Sequence, residues 1–89
     1  MQVTVEISLY PLTENFEQVV IDYIGEIKKV PGLRVEVNGL STQVFGEYDL
    51  VITSLSAINK STFERHRCVI HMKMATGERS VENLPEVLR

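Results

Sequence analysis

Polar and apolar residues alternate along residues 2–10, "QVTVEISLY". Every second residue from Val3 to Leu9 is apolar, which is typical of a strand with one covered face. Pro11 has a fixed φ and sets the direction in which the chain leaves this strand. The pattern therefore predicts a strand that ends on Ser8, Leu9 and Tyr10 rather than on a simple turn.

Two later stretches have the apolar spacing of amphipathic helices. The first begins at Asn15, carries apolar residues from Phe16 to Val30, and ends at Pro31-Gly32. The second extends from Tyr48 to about Asn59, with apolar positions at Val51, Ile52, Leu55 and Ile58.

Three further strands are predicted by alternation. Residues 33–38 and 40–45 form a hairpin that reverses tightly at Asn38-Gly39. In the last strand Cys68, Ile70, Met72 and Met74 share a face, and the tail after Ser80 holds one short helical turn that Pro85 disturbs.

The resulting order β-α-β-β-α-β predicts an α+β ferredoxin-like sandwich, with two helices on one face of a four-stranded antiparallel sheet. Right-handed crossovers give the spatial strand order 4-1-3-2. A chain of 89 residues with 44% hydrophobic residues is expected to form a single domain over residues 1–89.

Charge and composition exclude several classes of function. A net charge of −3 with dispersed basic residues disfavours nucleic acid as a partner. No apolar run approaches the roughly 20 residues that span a bilayer, so no membrane association is expected. One cysteine, Cys68, and no secretory signal pattern favour a reducing, cytoplasmic location.

Five polar or aromatic residues are predicted to gather at one end of the sheet. In antiparallel pairing the end of the first strand lies beside the hairpin, which brings together Ser8, Tyr10, Asn38, Ser41 and Thr42. Hydroxyls and an amide both donate and accept hydrogen bonds, so this corner is a candidate small-molecule site. The same residues are also ordinary in strands and hairpins.

If Leu40 and Val44 face the core, Thr42 points inward and Ser41 outward, and the pattern does not decide which of these two hydroxyls reaches a pocket.

Two segments at this corner resemble the YkoF-like family of thiamine and hydroxymethylpyrimidine-binding domains. They are "ISLYPLTENFEQVVIDYI" and "VNGLSTQVFGEYDLV", in which a strand ends in Ser-Leu-Tyr-Pro and a Ser-Thr pair lies four residues before a glycine. The resemblance implies a ferredoxin-like fold, no catalysis, and binding of thiamine or its pyrimidine in uptake or salvage. Tyr10 would supply an aromatic face to the ligand.

This chain departs from the family in two respects. Some members carry two such domains in tandem, whereas one copy is present here, so a paired arrangement must come from self-association. Relatives also tend to have an acidic residue where this chain has Phe45, which leaves the identity of the ligand open.

Other candidate chemistry is weaker. His66, Cys68 and His71 include soft-metal ligands, but alternation places Cys68 and His71 on opposite faces, so neither a metal nor another cofactor is expected. Glu47 and Asp49 precede a helix whose dipole attracts carboxylates. An acylphosphatase-type enzyme of this fold would need a loop arginine that "YPLTEN" lacks.

The second face of the sheet is left open by the helices. It is predicted to contain Thr4, Glu6, Ser8, Arg34, Glu36, Gln43, Phe45, Val69, His71 and Lys73. Phe45, Val69 and Tyr10 make it apolar enough to favour a homodimer or homotetramer. The alternative function is a regulatory or assembly domain that joins a partner protein through this face.

Overall fold

The computed structural model describes residues 1–88, and it confirms the ferredoxin-like fold. The elements in chain order are β1 (Gln2–Pro11), α1 (Phe16–Lys28), β2 (Arg34–Val37), β3 (Thr42–Glu47), α2 (Tyr48–Arg65), β4 (Cys68–Thr76) and two 3₁₀ turns (Val81–Asn83 and Glu86–Leu88). The sheet order is β2-β3-β1-β4, and every pairing is antiparallel, as predicted.

The core lies between the sheet and the two helices. Val3, Val5 and Ile7 project from β1 towards the helices because alternate strand residues share a face. The residues that complete this buried cluster come from β3 and both helices: Tyr23, Ile27, Val44, Val51 and Leu55. No helix within residues 1–88 has the length and apolar character needed to cross a membrane.

Helix α2 is longer than predicted. It continues past Asn59 to Arg65 because Thr62 occupies the next inward position after Leu55 and Ile58. The Thr62 side chain is buried and its hydroxyl donates to the Ile58 carbonyl oxygen at 2.8 Å. Because a threonine rather than an apolar residue occupies this inward position, the helical spacing of apolar residues could not be followed beyond Asn59. The predicted helix was therefore about one and a half turns too short.

The hairpin between β2 and β3 is a four-residue loop rather than a tight reversal. Val37 pairs with Thr42, which leaves residues 38–41 outside the ladder. A two-residue hairpin loop of the Asn-Gly type needs positive φ at both residues, but within residues 1–88 only Gly32 and Gly77 have positive φ. Leu40 therefore does not face the core, and its side chain is 92% exposed.

The open sheet face is covered at one end by the segment that follows β4. The Thr4 hydroxyl donates to the Gly77 carbonyl oxygen and accepts from the Arg79 N–H, both at 2.8 Å. Arg34 pairs with Glu78 and lies 4.1 Å above the centre of the Phe45 ring. Phe45 is consequently 4% exposed, so the prediction that it contributes an apolar contact surface is wrong.

One buried hydrogen bond joins the two helices and yields a stability prediction. The Tyr23 hydroxyl donates to Asn59 Oδ1 at 2.6 Å, and burial raises the pKa of Tyr23, which keeps the phenol protonated. Tyr23→Phe leaves the Asn59 oxygen unpaired and is expected to lower the free energy of unfolding by about 1 kcal/mol. Urea denaturation measures this change. Tyr48→Phe, at a more exposed tyrosine, is the control, and equal effects of the two substitutions would contradict the assignment.

Candidate functional site

The candidate site lies in a notch at one end of the sheet, where β1 extends beyond the first residue of β3. Pairing between β1 and β3 stops at Ile7 and Thr42, whereas pairing between β1 and β4 continues to Pro11 and Cys68. The notch holds a cavity of about 210 Å³. The residues that line it are Ile7, Ser8, Leu9, Tyr10, Val20, Ile24, Val37, Asn38, Gly39, Leu40, Ser41 and Thr42. All five predicted site residues are among them.

Ser41 and Thr42 both line the cavity, but they differ in how their hydroxyls are used. The Ser41 hydroxyl donates to Glu6 Oε2 at 3.0 Å and accepts from Gln43 Nε2 at 2.9 Å. Thr42 as a whole is 5% exposed, and its hydroxyl takes part in none of the side-chain hydrogen bonds described within residues 1–88, but it is not among the fully buried unpartnered polar atoms and so remains accessible to solvent. It therefore retains its capacity to donate and accept, and it is the polar group of this pair that a ligand can use.

Asn38 shapes the loop rather than presenting its amide to the cavity. Its Oδ1 accepts from the backbone N–H groups of Leu40 at 2.9 Å and Ser41 at 3.0 Å, and its Nδ2 donates to Gln43 Oε1 at 2.9 Å. Such contacts from an Asn side chain to the backbone that follows it stabilise turns. Asn38 thus sets the position at which β3 begins.

Ser8 and Tyr10 belong to the open face of β1. They lie opposite His71 and Val69 of β4, and Tyr10 is 54% exposed. The apolar wall of the cavity comes from Val20 and Ile24 of α1. The helical period of α1 identified these two residues as apolar, but only the packing of α1 beside β1 places them in the site.

Glu6 holds the polar edge of the notch in place. The Ser41 hydroxyl, and then the Lys73 ammonium 3.3 Å from Glu6 Oε1, lower the pKa of this carboxyl. The carboxylate is therefore ionised at neutral pH. The Ser41–Glu6 contact is present above the ordinary carboxyl range and is lost as the pH falls through the lowered pKa.

The other candidate residues lie outside the lining of the notch. Cys68 is half-buried, and burial raises the pKa of its thiol, while His71 is exposed on the open face. No group of three or more potential metal ligands occurs within residues 1–88. Glu47 accepts from the Asp49 N–H at 3.3 Å as the cap of α2, and it pairs with Gln2 at the opposite end of the sheet from Tyr10.

A larger cavity of about 450 Å³ lies under the C-terminal turns. It is lined only by residues between Thr76 and Pro85, so a single segment encloses it and no helix or central strand contributes. The smaller cavity in the notch is the better candidate because three separate segments, in β1, in α1 and around the β2–β3 hairpin, converge on it.

Solved structures share this fold over the whole chain. A Thermotoga maritima protein provisionally assigned to thiamine biosynthesis or salvage superposes with a TM-score of 0.80 at 22% identity, covering 100% of both chains. A Streptococcus pneumoniae protein superposes with a TM-score of 0.79 at 18% identity, covering 99% of this chain and 98% of its own. A domain of unknown function from Bacillus cereus superposes with a TM-score of 0.76 at 20% identity, covering 100% of this chain and 91% of its own.

These likenesses establish the fold. The sequence matches no protein-family profile and no curated protein.

The contribution of the Asn38 side chain to the structure of the loop can be tested by substitution. Asn38→Ala removes the acceptor for two backbone N–H groups and is expected to lower the free energy of unfolding by about 0.5–1 kcal/mol. Amide hydrogen exchange should accelerate at Leu40 and Ser41. Asn38→Asp keeps the acceptor oxygen and is the matched control. Unchanged exchange in Asn38→Ala would show that the loop does not depend on this side chain.

Proposed function

We propose that this protein binds thiamine or its hydroxymethylpyrimidine part without catalysing a reaction on it. The observation that carries the proposal is the cavity in the notch, where the largely buried residue Thr42 presents a solvent-accessible hydroxyl that no side-chain hydrogen bond within residues 1–88 engages. The sequence resemblance to YkoF-like domains supports the same ligand class. So does the structural likeness to the Thermotoga maritima protein provisionally assigned to thiamine biosynthesis or salvage.

The cavity has the chemistry that an aminopyrimidine needs. The ring offers acceptor nitrogens and an exocyclic amino donor, and a specific pocket must satisfy both kinds of group. Thr42 and Ser8 provide hydroxyls that donate or accept. Val20 and Ile24 provide an apolar surface for the flat ring, and Tyr10 stands at the side of the cavity with an aromatic face.

The size of the cavity favours one ring over two. Its volume of about 210 Å³ is below the roughly 300–1,000 Å³ of sites that enclose drug-sized ligands. The pyrimidine is therefore expected to enter the cavity, with the thiazolium of thiamine left near the mouth. A cation over the Tyr10 ring would add about 0.5–2 kcal/mol to the binding free energy of thiamine.

The proposed role is uptake or salvage in the cytoplasm. The polar side chains that line the cavity carry hydroxyl and amide groups, and Glu6, which accepts from the lining residue Ser41, is also paired with Lys73. This arrangement suits recognition of a neutral ring better than proton transfer to it, because the carboxylate stays ionised and engaged at neutral pH.

Self-association through the uncovered part of the open face is proposed as well, with a second copy of this chain as the occupant. Tyr10 and Val69 lie side by side there and are 54% and 53% exposed. Glu6 and Lys73 supply charges of both signs on the same surface, so a two-fold partner can match acid to base.

The hydroxyl of Thr42 provides the test of ligand binding. Thr42→Val preserves shape and removes the hydroxyl, which is expected to weaken binding of hydroxymethylpyrimidine by about 1–3 kcal/mol, or up to roughly a hundredfold. Calorimetry of parent and variant measures this loss. Thr53→Val on the exposed side of α2 is the control. If the parent binds neither thiamine nor hydroxymethylpyrimidine, the ligand assignment is wrong and the assembly-domain function takes its place.

The interface can be tested separately from the ligand site. Val69→Glu introduces a charge into the proposed contact but does not line the cavity, so it should shift sedimentation towards monomer while leaving ligand affinity unchanged. Val87→Glu, at a valine 88% exposed in the C-terminal turns, is the control. A parent protein that sediments as a monomer at all concentrations would contradict self-association.

A further inference from the structure

The backbone of β1 alternates between its two neighbouring strands. The Met1 carbonyl oxygen accepts from the Tyr48 N–H, so odd-numbered residues direct their N–H and C=O groups towards β3. The Gln2 carbonyl oxygen accepts from the Gly77 N–H, and the Leu12 N–H donates to the Arg67 carbonyl oxygen, so even-numbered residues face β4. This alternation is required of any strand in the middle of an antiparallel sheet.

Leu9 is the first odd-numbered residue of β1 beyond the end of β3. Ile7 faces Thr42, so the same register would set Leu9 against Leu40. Leu40 lies in the loop and is not paired with β1. The N–H and C=O groups of Leu9 therefore point into the notch with no strand opposite them, and Leu9 lines the cavity there.

Leu9 is held firmly although its N–H and C=O groups have no strand opposite them. Its side chain packs against the core cluster, and Leu9 and its neighbours Ser8 and Tyr10 are in register with β4. Leu9 is only partly buried, so water is the partner of these two backbone groups when no ligand is bound. A ligand that supplies both partners replaces this water with direct hydrogen bonds, and it does so without reorganising the strand.

We propose that the Leu9 main chain recognises the pyrimidine, which binds beyond the N-terminal end of β3. There the pyrimidine takes the position that a further β3 residue opposite Leu9 would occupy. This inference rests on the proposed function. A strand residue presents one donor beside one acceptor to its antiparallel partner. An aminopyrimidine edge presents the matching pair, because a ring nitrogen accepts from the Leu9 N–H while the adjacent amino group donates to the Leu9 C=O.

This recognition also assigns a function to the neighbouring side chains. Thr42 is the first residue of β3, at the edge of the notch, and lies diagonally across from Leu9, so its hydroxyl is placed for the polar groups on another edge of the ring. Val20 and Ile24 cover one ring face. The specificity for an amino group beside a ring nitrogen then comes from backbone atoms, which side-chain substitution does not alter.

Amide hydrogen exchange measured by NMR tests the proposal on the unmodified protein. Without ligand, the Leu9 amide should exchange much faster than those of Ser8 and Tyr10, which are paired with β4 and serve as internal controls. Saturating hydroxymethylpyrimidine should slow the Leu9 amide by about tenfold or more, the effect of one added hydrogen bond, and leave the two controls unchanged.

A pair of variants provides a second measurement. Leu9→Pro removes the N–H at a position where no strand bond is lost, which proline tolerates in sheets. Leu9→Ala removes the side chain and keeps the N–H. Calorimetry should find hydroxymethylpyrimidine binding at least about tenfold weaker in Leu9→Pro than in Leu9→Ala. If Leu9→Pro does not fold, hydrogen exchange of the Leu9 amide in the parent protein decides whether the backbone binds the ligand.

The outcomes separate this inference from the proposed function. Binding to the parent with no change at the Leu9 amide overturns the backbone recognition alone and leaves ligand binding established. Equal affinity in folded Leu9→Pro and Leu9→Ala does the same. A parent that binds neither hydroxymethylpyrimidine nor thiamine overturns both.

Discussion

The unequal pairing of β1 on its two sides is the constraint on which the candidate site depends. β1 has 10 residues and β3 has 6, and the ladder between them ends at Ile7 and Thr42. On its other side β1 remains paired with β4 as far as Pro11. The strand is therefore held straight past the point where its neighbour stops, and the space left over is a rigid notch rather than a frayed end.

The loop that holds Asn38 keeps this notch open. The Asn38 side chain accepts hydrogen bonds from the N–H groups of Leu40 and Ser41, and the Leu40 N–H is the one that a longer β3 would direct towards β1. A two-residue reversal at Asn38-Gly39 would bring Leu40 into the ladder and close the space beside Leu9. Hydrogen bonds within four residues thus decide whether the sheet ends in a cavity or in a completed edge.

The two ends of the open sheet face have different roles. At the Thr4 end the segment after β4 binds back onto the strand, and Arg34 covers the Phe45 ring between ion pairs to Glu36 and Glu78. At the other end Tyr10 and Val69 stay exposed. The apolar surface that remains is therefore confined to the side of the face next to the notch, so a bound ligand and a second subunit would be neighbours.

The sequence by itself determined the element order, the strand order and five of the twelve residues that line the notch. Alternation and helical spacing report which face of each element is buried, and antiparallel pairing then fixes which strand ends meet. Only the tertiary structure decided that α2 continues to Arg65, that Phe45 is covered, and that Asn38 caps a four-residue loop. Each of these depends on a partner distant in the chain or on the geometry of a loop: Thr62 is buried by packing, Phe45 is covered by Arg34, and Asn38 binds the backbone of its own loop. Periodicity records the face on which a residue lies, but hydrogen-bond partners and strand lengths are settled by what packs opposite. Five residues of the candidate site could therefore be predicted, whereas their separate roles and the contributions of Leu9, Val20 and Ile24 could not.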